Sequence, residues 1–419
     1  VTAGEGWSTH DLLLLVAVLL VYAVLARTLA RIWVSAALFF LIVGLLMGPS
    51  SLGWYESPIG SDGGQLLASL ALATVLFGDA TRVRVRQLRE NAALPSRLLT
   101  IGLLGTIAVG AVVGHVMFGS LTWAVALVVA VMLAPTDAAL GSPVNDNRSV
   151  PSRVREALFV ESGLNDGIAV PFLVFALALA DMQEMGDAGL LQIVFMKLVV
   201  SAIVGAAIAF VAYGILHITD RRSGEDAVWT SLIPLLTAIV TFLAVEHIEG
   251  SGFIAAFAGG LTFGALARAR EISGVEVDEA VSSLLQGVTW FLFGALVVGP
   301  VLLSGTIDPA WVAYGVLSLT LVRMLPVALA LLGTHQDWRT VLFVGWFGPR
   351  GLASVVFLLI VLGLSPLAAD ATIIRGVVTV TVLMSVVLHG ISATPLVNRY
   401  ARSRAAPKPA ALTRDDSRG

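Results

Sequence analysis

Glu161, Ser162, Asn165 and Asp166 fall close together in the string FVESGLNDGIAV. They supply two carboxylates, a hydroxyl and an amide, the oxygen donors that suit hard cations and proton transfer. The chain has no cysteine, which removes thiolate metal sites, cysteine nucleophiles and disulfides. His115, His217, His247 and His389 lack the i,i+4 pairing of a metal site and are given no role. Further residues able to do chemistry are Thr136 and Asp137 in APTD, Asp79 in LFGDA, and the arginines Arg323 and Arg350 inside apolar runs.

On a helix, Ser162 and Asp166 are four apart and share a face, and Glu161 and Asn165 share the neighbouring one. Glu161 and Asp166 are five apart and point in different directions. The spacing therefore divides their labour: one carboxylate faces a cavity, the other a neighbouring helix.

The element that carries them has to be a membrane helix. Residues are 57% hydrophobic and only 13% charged, against roughly 25% charged in globular chains, and the mean hydropathy is +0.92. Apolar runs of about 18 residues recur from end to end, as in polytopic helical membrane proteins, without the short alternating segments of a barrel. Thirteen spans are expected, at about 9–29, 32–48, 64–81, 97–118, 121–141, 154–180, 188–216, 227–248, 250–269, 281–304, 310–333, 339–363 and 371–398. Were the loop to extend to Gly167, too few apolar residues would remain to span. The opening VTAGEGWSTHDLLLL lacks a basic n-region and is not read as a cleaved leader. Residues 399–419 read as a short cytoplasmic tail without order. No connection is long enough for a soluble domain, and no nucleotide-binding or nucleic-acid motif is present.

Arginines test the span count. All Lys and Arg except Lys197, Arg323, Arg350 and Arg375 fall in the odd-numbered connections or the tail. The positive-inside rule then puts the N-terminus outside and the C-terminus in the cytoplasm.

Charged residues at mid-bilayer cost roughly 2.5–3.5 kcal/mol each on insertion scales and need a partner or a job. Pro135 should break span 5 near Thr136 and Asp137, freeing carbonyls; the alternative is a simple kink with Asp137 near the cytoplasmic end. Gly345, Gly348, Pro349 and Gly351 should break span 12 at Arg350, unless this is a cytoplasmic re-entrant turn. Arg323 in span 11 needs a carboxylate, and Glu161 is the candidate by depth, with Arg350 its rival and snorkelling the alternative. Asp79, just before Arg82, Arg84 and Arg86, either pairs with those arginines or joins the site. Broken helices at matching positions point to inverted repeats around a midplane ion site. Spans 1–3 and 8–10 would form a scaffold, span 7 a linker, and spans 4–6 and 11–13 an ion-transporting core with two crossing discontinuous helices, spans 5 and 12.

APTD at 134–137, ESGLND at 161–166 and FGPRG at 347–351 resemble the monovalent cation:proton antiporters of the NhaP/NHE type, over essentially the whole chain. The resemblance implies that Asp166 takes either the cation or a proton, that Asn165 braces the unwound segments, and that Ser162, Thr136 and Asp137 complete the pathway. It implies a structural pair of Glu161 with Arg323, and a core-stabilising Arg350. Relatives often carry Phe-Glu-Gly where this chain reads Phe77-Gly78-Asp79, so the acid is shorter and shifted by one. The family further implies a homodimer in the plasma membrane and no cofactor.

In physical terms, a proton and a cation compete for one buried carboxylate. The empty charged site is costly to move through the barrier, so the core switches sides only when loaded. With an asparagine rather than a second aspartate beside Asp166, one charge is exchanged for one. The expectation is electroneutral exchange of Na+, or Li+, for H+. A K+/H+ antiporter is the nearest alternative. A cation channel lacks a filter loop, and an intramembrane aspartyl protease lacks its Gly-x-Gly-Asp signature.

Overall fold

The computed structural model describes residues 8–31, 34–55, 62–83, 93–137, 140–141, 144, 147–181, 195–220, 227–269, 279–303, 307–364 and 367–404. Regular structure among them is entirely helical. In chain order the helices are α1 (Thr9–Arg31), α2 (Ala36–Met47), α3 (Asp62–Arg82), α4 (Ala93–Met117), α5 (Trp123–Met132), α6 (Ser152–Ala180) and α7 (196–220). They continue as α8 (Ala227–His247), α9 (Gly252–Ala269), α10 (279–303), α11 (Pro309–Ala330), α12 (Trp338–Trp346), α13 (Leu352–Val361) and α14 (Ala371–Arg404).

Eight of these are long and apolar enough to cross a membrane, and five more are apolar but shorter. Several start on a side-chain cap. Ser35 Oγ accepts from Leu38 N at 3.3 Å, Thr122 Oγ1 from Val125 N at 3.3 Å, and Asp308 Oδ1 from Ala310 N at 2.8 Å. Each cap satisfies one of the orphan amides of a first turn. α1 faces outward, with Leu13 and Val24 exposed, as a lipid-contacting helix would be.

Two packed groups of helices enclose the centre. In one, α9 lies against α3, α7 and α8, and α10 against α2 and α3. In the other, α5 lies against α4 and α6, and α11 against α4, α12 and α14. α3 bridges both, since it also touches α6 and α13. A methyl at Gly260 of α9 would collide with the backbone of Phe77. That close approach pins the turn of α3 that carries Asp79, because small residues let membrane helices pack backbone to backbone.

Both proline- and glycine-rich interruptions are present. Helix α5 ends at Met132; Leu133 N and Ala134 N still donate to Val129 O and Val131 O, and 135–137 are no longer helical. α12 ends at Trp346, and α13 restarts at Leu352. Two expectations shift in detail. α14 continues to Arg404, so 399–404 are helical rather than tail; Tyr400 is buried and bonded there to Thr340, which holds the last turns. Span 11 is bent at Thr320 (φ −112°, ψ −91°), where its hydroxyl donates to Val316 O. The arginine run at Arg84, Arg86 and Arg89, the pair Arg221 and Arg222, Arg270, and 405–419 lie outside the described residues.

Candidate ion-binding site

The interruption after α5 is where Pro135, unable to donate a backbone hydrogen bond, stops the helix. Its freed carbonyls find a cation from the other interruption. Arg350 Nη1 donates to Ala134 O at 2.7 Å and to Pro135 O at 3.3 Å. Asp137 N donates to Pro349 O at 2.8 Å. The Asp137 carboxylate returns the contact: Oδ2 accepts from Leu352 N at 2.9 Å, at the start of α13, and Oδ1 accepts from Leu140 N at 3.0 Å. The two interruptions are therefore stitched together by backbone and charge, with Asp137 capping α13.

Glycines make that stitch possible. A methyl at Gly351 would fall inside the Asp137 carboxylate, and one at Gly348 would strike the guanidinium of Arg323.

α6 brings its polar residues to this place. Thr136 Oγ1 and Ser162 Oγ are 3.0 Å apart, and Asn165 Nδ2 donates to Thr136 Oγ1 at 2.6 Å. Helical spacing had grouped Asn165 with Glu161. Instead Asn165 turns to Thr136 beside Ser162, three residues away on the same side, while Glu161 turns to α11. There Arg323 Nη1 donates to Glu161 Oε1 at 2.5 Å, with both side chains about 2% exposed. The bend at Thr320 and Pro326 flank this arginine.

Asp166 is also buried, and its Oδ1 has no hydrogen-bond partner. Glu161 Oε2 and Asn165 Oδ1 are likewise without one, but Glu161 is ion-paired to Arg323 and Asn165 is bonded through its Nδ2, whereas Asp166 has no ion pair among the described residues. The charges of Asp137 and Asp79 both act on it. A buried carboxylate oxygen without a donor favours a proton or a bound cation. Ser162, Thr136 and Asn165 bring oxygens to this part of α6, and Pro171, which has no N–H to give, leaves the carbonyl of Gly167, the residue after Asp166, without its helical donor.

Asp79 reaches the same region. Gly163 of α6 faces it, and a methyl there would lie 3.6 Å from Asp79 Cβ. The charge of Arg82 also acts on Asp79, so it has both a basic neighbour and a place beside the site.

Sequence reasoning missed the support beneath Arg350. Ser385 Oγ accepts from Arg350 N at 2.6 Å, and His389, four residues on, lies 2.9 Å from Trp346 O through Nε2. Span 13 had been taken as merely apolar and His389 as without a role. The only signal was a serine and a histidine at i,i+4 in SVVLH.

A family model for the transmembrane sodium/hydrogen exchanger matches residues 14–399. The chain belongs to that family. It is a family of secondary transporters, not enzymes, and needs no cofactor to exchange cations and protons. The K(+)/H(+) antiporter NhaP of Alkalimonas amylolytica is 29% identical over 392 residues, covering 92% of this chain and 66% of that protein. The Na(+)/H(+) antiporter of Schizosaccharomyces pombe is 25% identical over 408 residues, covering 88% of this chain and 85% of that one. The chain thus spans just under two thirds of the length of the Alkalimonas relative. The solved structure of the sodium proton antiporter MjNhaP1 from Methanocaldococcus jannaschii at pH 8 superposes with a TM-score of 0.76 at 21% identity, covering 93% of this chain and 98% of that one. This likeness establishes the fold.

Proposed function

We propose that the chain is a secondary antiporter exchanging one monovalent cation for one proton at Asp166. The observation that carries this reading is the buried, unpartnered Oδ1 of Asp166, one helical turn from Ser162, whose hydroxyl meets that of Thr136. Hard monovalent cations need oxygen ligands, and a carboxylate that holds a cation cannot hold a proton. Falling pH should then raise the apparent KM for the cation in proportion to proton concentration.

Asn165 fastens α6 to Thr136, so it braces the site rather than titrating. Asp137 has both oxygens turned to backbone amides, and Arg82 lies near Asp79, whereas no basic residue acts on Asp166. Asp166 is therefore the proposed carboxylate that changes its load, and a single such group makes the exchange electroneutral. Glu161 with Arg323, and Arg350, hold the core together.

Na+ is the proposed cation, with Li+ also carried; K+ is the second reading, because relatives named for K+ and for Na+ both align along the chain. The test is reconstitution into vesicles with an internal pH dye. Na+ and Li+ should dissipate an imposed pH gradient and K+ should not. Dissipation by K+ alone would overturn the Na+ assignment, and a membrane potential built up by exchange would overturn the one-for-one stoichiometry.

The protein is proposed to lie in the plasma membrane as a homodimer, N-terminus outside, C-terminus cytoplasmic, with a core moving against a scaffold by alternating access. The absence of native cysteine allows single-cysteine labelling to test this. Ser403→Cys should react only with a reagent admitted to the cytoplasmic side, and reaction from outside would reverse the topology.

A further inference from the structure

Away from the ion site, α11, α12 and α14 enclose an open groove of about 520 Å³. Its walls are mainly Met324, Leu342, Phe343, Trp346, Phe347 and Leu396. A second groove of about 570 Å³ lies alongside, lined mainly by Ala328, Leu331, Leu332 and Val341, with His335 and Gln336 also on its wall. The two share Trp338 and Leu342. Together they form a forked apolar surface at one end of the bundle.

The first groove carries two basic residues. Arg339 and Arg399 both line the first groove and are exposed. Arg339 lies over the Trp338 ring, 5.5 Å from its centroid. Neither arginine has a carboxylate partner among the described residues. Asp337, the nearby acid, is turned to Thr340, accepting from its N at 3.2 Å and its Oγ1 at 2.5 Å. The wall behind is fixed: Tyr400 and Thr340 hydroxyls are 2.9 Å apart, and the Phe343 and Tyr400 rings stack at 4.1 Å.

We propose that this fork is a binding site for one anionic phospholipid. Its phosphate would lie on Arg339 and Arg399, and its two acyl chains would lie in the two grooves on either side of Trp338. The occupant follows from the surface. A free anion would leave two apolar grooves unfilled, and a zwitterionic lipid would bring its own cation to the arginines. Tryptophan and arginine at a helix end match the headgroup level of a bilayer, and anionic lipids are drawn to such residues. Phe347 belongs both to the groove wall and to the chain entering the interruption before Arg350, so a bound lipid would brace α12 where it stops.

Native mass spectrometry of the full chain in detergent tests this, titrating phosphatidylglycerol, phosphatidylcholine and inorganic phosphate separately. Wild type should retain one phosphatidylglycerol in preference to phosphatidylcholine and bind no phosphate. Arg339→Gln and Arg399→Gln should each weaken that binding about 5-fold, and the pair about 30-fold. A control pair on another basic connection, Arg148→Gln with Arg153→Gln, should leave it unchanged. Equal retention of the two lipids, saturation by inorganic phosphate, or an unaltered affinity in the Arg339/Arg399 double variant would overturn the proposal. Unchanged melting temperatures in the variants exclude misfolding as the cause. The readout does not involve transport, so its failure would leave the antiport reading standing.

Discussion

At the scale of single residues, the two acids of ESGLND have opposite fates. Glu161 is ion-paired to Arg323 in the buried interior, and Asp166 has no cationic partner among the described residues, with its Oδ1 left without a donor. Removing one member of a buried ion pair leaves an uncompensated charge, at a cost of about 3–5 kcal/mol. Glu161→Gln should therefore lower the melting temperature in detergent sharply. Replacing both members by apolar residues, Glu161→Leu with Arg323→Met, should recover most of the loss. A double variant as unstable as the sum of its singles would show that the two residues do not act as a pair. The spacing of Glu161 and Asp166 made their divergence readable beforehand. It did not reveal that Asn165 leaves Glu161 for Thr136, because residues three and four apart on a helix both count as neighbours and the choice depends on what the facing helix offers. Nor did it decide between the two readings of Asp79, whose position beside Gly163 comes from α3 packing on α6.

At the scale of elements, the decisive feature is the meeting of two interrupted segments. Proline and clustered glycines announce an interruption in any sequence, so Pro135 and the run Gly348 to Gly351 were legible. Their mutual hydrogen bonding was not, since nothing in one segment names its partner. Gly351→Ala places a methyl where the Asp137 carboxylate lies. It should destabilise the fold more than Gly119→Ala, where open space surrounds the added methyl. Equal melting temperatures would contradict the close approach. Asp137 tests whether its carboxylate caps or titrates. If it caps α13, Asp137→Ala should lose about 1 kcal/mol of stability, whereas Asp137→Asn, which keeps one acceptor oxygen, should retain most of the stability and measurable exchange. Loss of exchange in a fully stable Asp137→Asn protein would return Asp137 to the titrating groups. The Ser385 and His389 support went unread because a lone serine and histidine in an apolar span do not name the backbone groups of another helix that they meet.

At the scale of the whole molecule, composition and recurring apolar runs make an all-helical membrane protein with many spans legible in the sequence. Membrane helices must satisfy their own backbone, so hydropathy alone locates them. Helix–helix geometry was not legible, because packing in lipid depends on small-residue contacts such as Gly260 on Phe77 rather than on a hydrophobic pattern. The central claim joins the scales: one carboxylate, Asp166, on the helix that Ser162 and Asn165 fasten to the first interruption, carries either a cation or a proton across. The most direct measurement compares wild type with Asp166→Asn in vesicles bearing an imposed pH gradient, with the melting temperature confirming that the variant is folded. Wild type should collapse the gradient when Na+ is added and Asp166→Asn should leave it intact. Collapse at the wild-type rate by a folded Asp166→Asn protein would contradict the account.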